Sequence, residues 1–400
     1  MADTISSTTA RIPKRILPLI IISQFCCTSL WFAGNGVMDD LIQVYHLDAS
    51  VLSFLTSSVQ FGFIIGTFVF ALFTIADRYS PSKVFMISAV LAAFFNLGLV
   101  RQGQTLTILL LLRFLTGFFL AGIYPVGMKI AADYYNTGLG KALGLLVGAL
   151  VLGTAFPHLL STVTQHLPWE TVIYTTSLLS LFGGLIILFF VPNGPFRKRS
   201  TKIDLLALTK LFKNRAFKAA AYGYFGHMCE LYAFWAFTPI MIKTYNNLHP
   251  EAHLNSALYS FLIIGIGSLG CIISGWLSTI KGLKPSAFFI LLVSAICCLV
   301  SPLSFHLTSS LLFIIFMIIW GMFVVADSPL FSTLIAHNTA SHAKGSALTI
   351  VNCIGYAITI VSIQTLGFLQ TILTPTYVYI ALAVGPILGL LALKNERTQV

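Results

Sequence analysis

Charge is what this chain has least of. Acidic and basic side chains together make up 9% of its 400 residues, about a third of the share usual in soluble domains. That scarcity excludes the two or three soluble domains that such a length would otherwise suggest. Disulfide chemistry is missing too. Cys26, Cys27, Cys229, Cys271, Cys297, Cys298 and Cys353 all fall inside apolar stretches, with no paired framework and no CxxC metal spacing. They read as small apolar packers. No Walker-type phosphate loop occurs, so the chain brings no ATP-hydrolysing machinery of its own. No nucleophile–base constellation stands out either, and the expectation is a protein that is not an enzyme and uses no cofactor or metal.

What fills the chain is apolar length. Hydrophobic residues make up 57%, in runs of twenty residues or more. Twelve spans are predicted near 16–38, 51–75, 83–101, 105–132, 140–162, 170–191, 217–243, 255–280, 285–306, 308–335, 343–370 and 374–394. The first is too long for a secretory core and lacks a small-residue cleavage site, so it reads as a retained span. The net charge of +11 is distributed as a membrane address. With both termini inside, every Lys and Arg except Arg101, Lys243 and Arg113 falls at a cytoplasmic end or loop. The first outer loop is acidic, with Asp39, Asp40 and Asp48. This is the positive-inside pattern. Basic residues scattered among loops form no single patch, which argues against nucleic acid.

The two halves echo each other at an offset of about 204 residues. Trp31 in SLWFAG returns as Trp235 in YAFWAF, Gly117 and Pro125 return as Gly321 and Pro329, and Gly140-Lys-Ala-Leu143 returns as Gly345-Ser-Ala-Leu348. A duplicated six-helix unit follows, with residues 1–192 as one bundle, 193–216 as a basic linker and 217–400 as the second bundle. The fold class is an all-α polytopic membrane protein of two pseudo-symmetric bundles, which sets a solute site near mid-membrane between the repeats. The segment 191–218 carries eight basic residues against Asp204 alone, and Leu205, Leu208, Leu211 and Phe212 form a stripe suited to the membrane surface. A solvated tether obeying the charge rule explains that segment as well as a hinge does.

The turn after the second span carries a nameable motif. It reads Phe73-Thr-Ile-Ala-Asp77-Arg78-Tyr-Ser80-Pro-Ser-Lys83, with Gly275-Trp-Leu-Ser-Thr279-Ile-Lys281-Gly282-Leu-Lys284 as its second-half counterpart. Arg113 and Gly117 supply an Arg-x-x-x-Gly pair on the fourth span. These resemble the signatures of the major facilitator superfamily, with Phe73 and Ser80 in place of the two glycines of the first. A fifth-span antiporter pattern is only hinted at by Gly148, Gly153 and Pro157. The resemblance covers essentially the whole chain and its bacterial organic-solute members. It implies that Asp77, Arg78 and Asp133 belong to a cytoplasmic gate, with Lys129 beside them and Asp77 capping the eleventh helix near Ser341–Ser346.

Polar residues inside spans each need a reason, because a central charge costs about 2.5–3.5 kcal/mol on insertion scales. The first span sets Gln24, Thr28, Trp31 and Asn35 on one stripe. Since the resemblance makes that helix line a cavity, they are solute-binding candidates; interhelical polar contacts are the alternative. Arg113 aligns with Gly117 and Tyr124. It suits an anionic solute group or a proton-steering role, against a structural pairing with carbonyls or a carboxylate. Gln60 with Ser53 and Ser57, Trp235, and Asn352 with Tyr356, Thr349 and Thr359 extend the candidate cavity wall. His158 beside Pro157 reads equally as structure or function. His227 and Glu230, at i and i+3, are predicted to meet near mid-membrane and, with Asp327, to be proton-coupling candidates. A permanently ionised pair holding the helix in place is the alternative.

The function expected is secondary active transport of a small polar or charged organic solute by alternating access, with protons as the candidate coupling ion. The chain is expected as a monomer in a bacterial inner membrane, with both termini cytoplasmic. Efflux of a drug, metabolite or siderophore is the runner-up. A non-transporting receptor or scaffold on the same fold is the alternative of another class.

Overall fold

In hydrocarbon no water satisfies a backbone N–H or C=O, so apolar length becomes helix. The computed structural model describes residues 13–48, 50–135, 139–197, 211–340 and 344–395. No strand occurs among them. Among the described residues, nine helical segments are long and apolar enough to cross a bilayer. The first, seventh and twelfth spans complete the set of twelve. The first falls short because it is broken, the twelfth because it is short, and the seventh because it is more polar.

The first span is α1 (Ile16–Thr28), α2 (Ala33–Gly36) and α3 (Met38–Val44), parted by a turn at residues 29–32. The second is α4 (Val51–Leu72), followed by the one-turn α5 (Ile75–Arg78), and the third is α6 (Pro81–Leu97). The fourth is α7 (Leu106–Leu120) and α8 (Tyr124–Tyr134), the fifth α9 (Leu139–Val163) and the sixth α10 (Glu170–Phe190). The seventh is the 34-residue α11 (Arg215–Leu248), and the eighth is α12 (Ser256–Gly265) and α13 (Gly267–Lys281). The ninth is α14 (Leu283–Phe305) and the tenth α15 (Ser310–Ala326) and α16 (Ser328–His337). The eleventh is α17 (Lys344–Ile372), and the twelfth a 3-10 turn, Val378–Ala383, running into α18 (Val384–Lys394).

The fourth and tenth spans break where the prolines foretell. Pro125 and Pro329 each sit at the start of the resumed helix, where a missing N–H costs nothing. The same pair of spans carries the clearest trace of the repeat. A β-carbon on Gly117 would strike the backbone of Val59, and one on Gly321 the backbone of Ile263. One on Gly66 would strike Phe118, and one on Gly270 would strike Met322. Each contact recurs 204 residues later. Small residues let the second and fourth helices, and the eighth and tenth, approach to backbone contact.

The side of the molecule that carries Lys14, Arg78, Lys129, Lys141 and Arg197 is called here the basic side. The expected stripe from Leu205 to Phe212 falls largely outside the described residues.

Candidate functional site between the two bundles

At mid-membrane the bundles meet through rings. Trp31 packs on Phe63 at 4.7 Å, on Tyr232 at 5.6 Å and, nearly parallel at 23°, on Tyr356 at 5.8 Å. Phe63 reaches Tyr356 at 4.5 Å, and the hydroxyls of Tyr232 and Tyr356 share a 3.0 Å hydrogen bond. Trp235 closes on Tyr232 at 5.1 Å. The unwound turn of the first span is what presents Trp31 and Phe32 to the facing bundle.

Polar groups without partners surround this layer. Gln60, one helical turn before Phe63, is fully buried, and neither atom of its carboxamide has a hydrogen-bond partner among the described residues. The indole N–H groups of Trp31 and Trp235 are in the same condition. Tyr124, at the break in the fourth span, is half-buried. Asn352, one turn before Tyr356, is half-buried.

Beyond the rings, away from the basic side, lies a cavity of about 650 Å³ lined by Asn35, Asp39, Ser53, His158, Lys243 and Gln370 among others. Asn35 donates to Thr56 Oγ1 at 2.9 Å. His158 is buried, and its Nε2 has no partner among the described residues. Lys243 grips both oxygens of Asp39, at 2.6 and 2.5 Å, and so ties the seventh span to the first. On the same side Gln364 donates to the Ser53 carbonyl at 3.0 Å and to Ser57 Oγ at 2.8 Å.

The titratable pair expected on the seventh span does not form. His227 turns to the tenth span, where its Nδ1 stands 2.8 Å from Asp327 Oδ1, without the alignment of a hydrogen bond. Asp327 occupies the break itself, between α15 and α16. Glu230 turns instead to the ninth and tenth spans. Its Oε1 accepts from Ser294 Oγ at 2.7 Å, Cys298 Sγ at 3.1 Å and Trp320 Nε1 at 2.6 Å. Side chains three apart share a helix face, but what lies opposite each decides its partner.

Arg113 is also placed differently from a solute ligand. Its guanidinium donates to Leu30 O at 3.1 Å, to Trp31 O and to Asn96 Oδ1 at 3.3 Å, with Gly34 directly over it. It satisfies the carbonyls that the broken first helix leaves exposed, which is the structural alternative. Gln24 and Thr28 face inward as well. A β-carbon on Gly127 would meet Gln24 Oε1, and Thr28 Oγ1 donates to Gln24 O at 2.8 Å while packing on Gly153.

On the basic side, Lys129 Nζ lies 2.8 Å from Asp77 and 3.5 Å from Asp133. Arg197 clasps the carbonyls of Asp77 and Tyr79 at 3.0 and 2.7 Å. This network stays within the first bundle. Arg78 is exposed and has no ion pair among the described residues, and Ser341–Ala343, where Asp77 was expected to cap, lie outside them. Of the residues expected to line a cavity, the structure brings Trp31, Trp235 and Tyr356 together in the ring layer, whereas Phe63, Tyr232 and the Asp39–Lys243 bridge were not among the expectations. Tyr232 was within reach, three residues from the repeated Trp235.

The family model of the Major Facilitator Superfamily matches residues 20–363, most of the chain. The chain belongs to that superfamily. It is 24% identical over 201 residues to YybF, an uncharacterized MFS-type transporter of Bacillus subtilis, covering 49% of this chain and 48% of that one. It is 25% identical over 203 residues to MJ1560, an uncharacterized MFS-type transporter of Methanocaldococcus jannaschii, covering 47% and 50%. Each match thus spans about half the length of the relative. Among solved structures, a mutant of the nucleoside transporter NupG superposes with a TM-score of 0.71 at 14% identity, covering 95% of this chain and 99% of that one. A bacterial homologue of the human lysosomal transporter Spinster, inward-facing and unoccupied, gives 0.71 at 13%, covering 96% and 98%. At these identities the likeness is one of fold. This superfamily member is a multi-pass membrane protein.

Proposed function

We propose that this transporter carries a small polar organic solute by alternating access, through the ring layer between its bundles, and couples that movement to protons. The observation that carries the reading is the buried carboxamide of Gln60, without a partner among the described residues and one helical turn from Phe63 of the ring layer. A buried amide without a partner is costly, and a solute with a planar face and a hydrogen-bonding edge relieves the cost. Rings supply the stacking surface; Gln60 and the two indole N–H groups supply orientation. With Arg113 committed to carbonyls, the solute need not be an anion. Proton coupling draws its support from His227 and Asp327, two ionisable groups buried side by side at a helix break. The charge asymmetry supports cytoplasmic termini in the plasma membrane of a bacterium.

Proteoliposomes with an imposed pH gradient test the whole reading. A solute that stabilises the protein in a thermal-shift panel should accumulate against its gradient. Gln60→Ala should weaken that stabilisation at least tenfold in concentration. Asp327→Asn should abolish accumulation while solute exchange persists. Accumulation undiminished in Asp327→Asn would remove Asp327 as proton carrier, and undiminished binding in Gln60→Ala would remove the ring-layer site. An impermeant thiol reagent applied to intact cells should label a cysteine at His46 and spare one at Lys213; the reverse would overturn the orientation.

A further inference from the structure

A second cavity, of about 550 Å³, lies on the flank of the first bundle at the basic side, away from the ring layer. Its walls are apolar: Phe70, Ile75, Val84, Ile87 and Phe119. Its rim is basic: Arg78 and Lys83, both exposed and both without an acidic partner among the described residues. Asp77, the nearest acid in sequence, is engaged by Lys129 and does not neutralise Arg78. Arg197 holds the carbonyls on either side of Arg78, which fixes the turn that carries it.

Two further features suit a negative group at that rim. The third span begins at Pro81, and Ser80, at its cap position, donates its hydroxyl to Asn193 Oδ1 at 2.9 Å and does not cap the helix. The first-turn N–H groups of α6 are left uncapped beside Lys83. Deeper in, Ser88 lines the cavity with its side chain 2% exposed and without a hydrogen bond among the described residues.

The cavity is also continuous with the bilayer. Ile87 is 59% exposed, and Val90 and Phe94 (65% exposed) carry the same stripe along the lipid-facing side of α6. A soluble anion would use the rim and leave the walls bare. We propose that this groove is a binding site for one anionic phospholipid of the leaflet on the basic side. The phosphate sits between Arg78, Lys83 and the start of α6, and an acyl chain lies along Val84, Ile87 and Phe94. Basic pockets between spans on one side of a membrane take such headgroups. The site is independent of the solute reading and requires only that the chain reside in a bilayer.

Delipidated protein in a neutral detergent tests it, with phosphatidylglycerol, phosphatidylcholine of identical chains, and inorganic phosphate as the probes. Native mass spectrometry should show phosphatidylglycerol retained about tenfold more than phosphatidylcholine. Phosphate alone should neither bind nor raise the melting temperature. Arg78→Gln combined with Lys83→Gln should bring phosphatidylglycerol down to the phosphatidylcholine level. Ile87→Trp, which fills the groove and keeps both charges, should lower phosphatidylglycerol retention as well. Equal retention of the two lipids by the wild-type protein overturns the proposal whatever the variants do. So does stabilisation by phosphate equal to that by phosphatidylglycerol, or undiminished retention in a folded double variant.

Discussion

Three donors converge on one oxygen of Glu230, and that geometry separates its two substitutions. Glu230→Gln keeps an oxygen where Ser294, Cys298 and Trp320 point, so the protein should fold with nearly wild-type thermal stability. Glu230→Ala strands the Trp320 N–H and the Ser294 hydroxyl in the bundle, which costs about 1–3 kcal/mol for each buried group left without a partner. Thermal unfolding of the two purified variants checks this, and equal losses would show that the carboxamide does not replace the carboxylate. The sequence was readable up to the point where partners are chosen. A carboxylate in an apolar span announces itself, as Glu230 and Asp327 did. Which wall each faces depends on side chains 64 to 100 positions away: Ser294, Cys298 and Trp320 for Glu230, and His227 for Asp327. Arg113 misled for a related reason: its partners are carbonyls of residues 30 and 31, and SLWFAG carries no proline to give the break away.

Helices here are fixed by where their backbones touch. Gly117→Ala and Gly321→Ala each place a methyl group on a neighbouring backbone, a few residues from the breaks in the fourth and tenth spans. Each should destabilise by about 1–3 kcal/mol, the usual range for overpacking. Gly144→Ala in α9 is the contrast, because its β-carbon would meet nothing within 4 Å. Melting temperatures in one detergent should fall for the first two and hold for the third; a fall in all three would mean that the crossings are not the cause. At this scale the sequence was most legible. The predicted ninth span, 285–306, is observed as Leu283–Phe305, and the eleventh, 343–370, as Lys344–Ile372. The breaks in the fourth and tenth spans carry a sequence marker, Pro125 and Pro329. The break at Ile266 was not expected, although Gly265 and Gly267 flank it.

Across the whole molecule, the bundles are joined by rings at the centre and by Asp39–Lys243 on the side opposite the basic one. With the two side chains 66% and 42% exposed, the bridge is worth no more than about 1 kcal/mol, roughly fivefold in a conformational equilibrium. Lys243→Gln should therefore raise the separated population at this end by up to about fivefold, read as distances between spin labels at Val44 and Leu248. The wild-type bias should shrink in high salt, as an exposed pair requires. Unchanged distances would sink its role as a latch. Asp39 and Lys243 were each read from sequence as topology charges, one in an acidic loop and one outside the inward rule. Nothing in either neighbourhood reveals the other.

The two residues of that bridge are 204 positions apart, the same interval that separates the repeated glycine contacts. Asp39 and Lys243 are thus the same position of the two repeats, touching where the pseudo-twofold axis passes between them. In a symmetric pair of identical six-helix chains, a residue on the axis meets only its own copy. Two aspartates there would repel, and so would two lysines. An attractive charge pair at this point is open only to a chain whose halves are fused and have diverged. The bridge is therefore younger than the duplication, and the asymmetry that permits it is a property no homodimeric ancestor of this fold could have possessed.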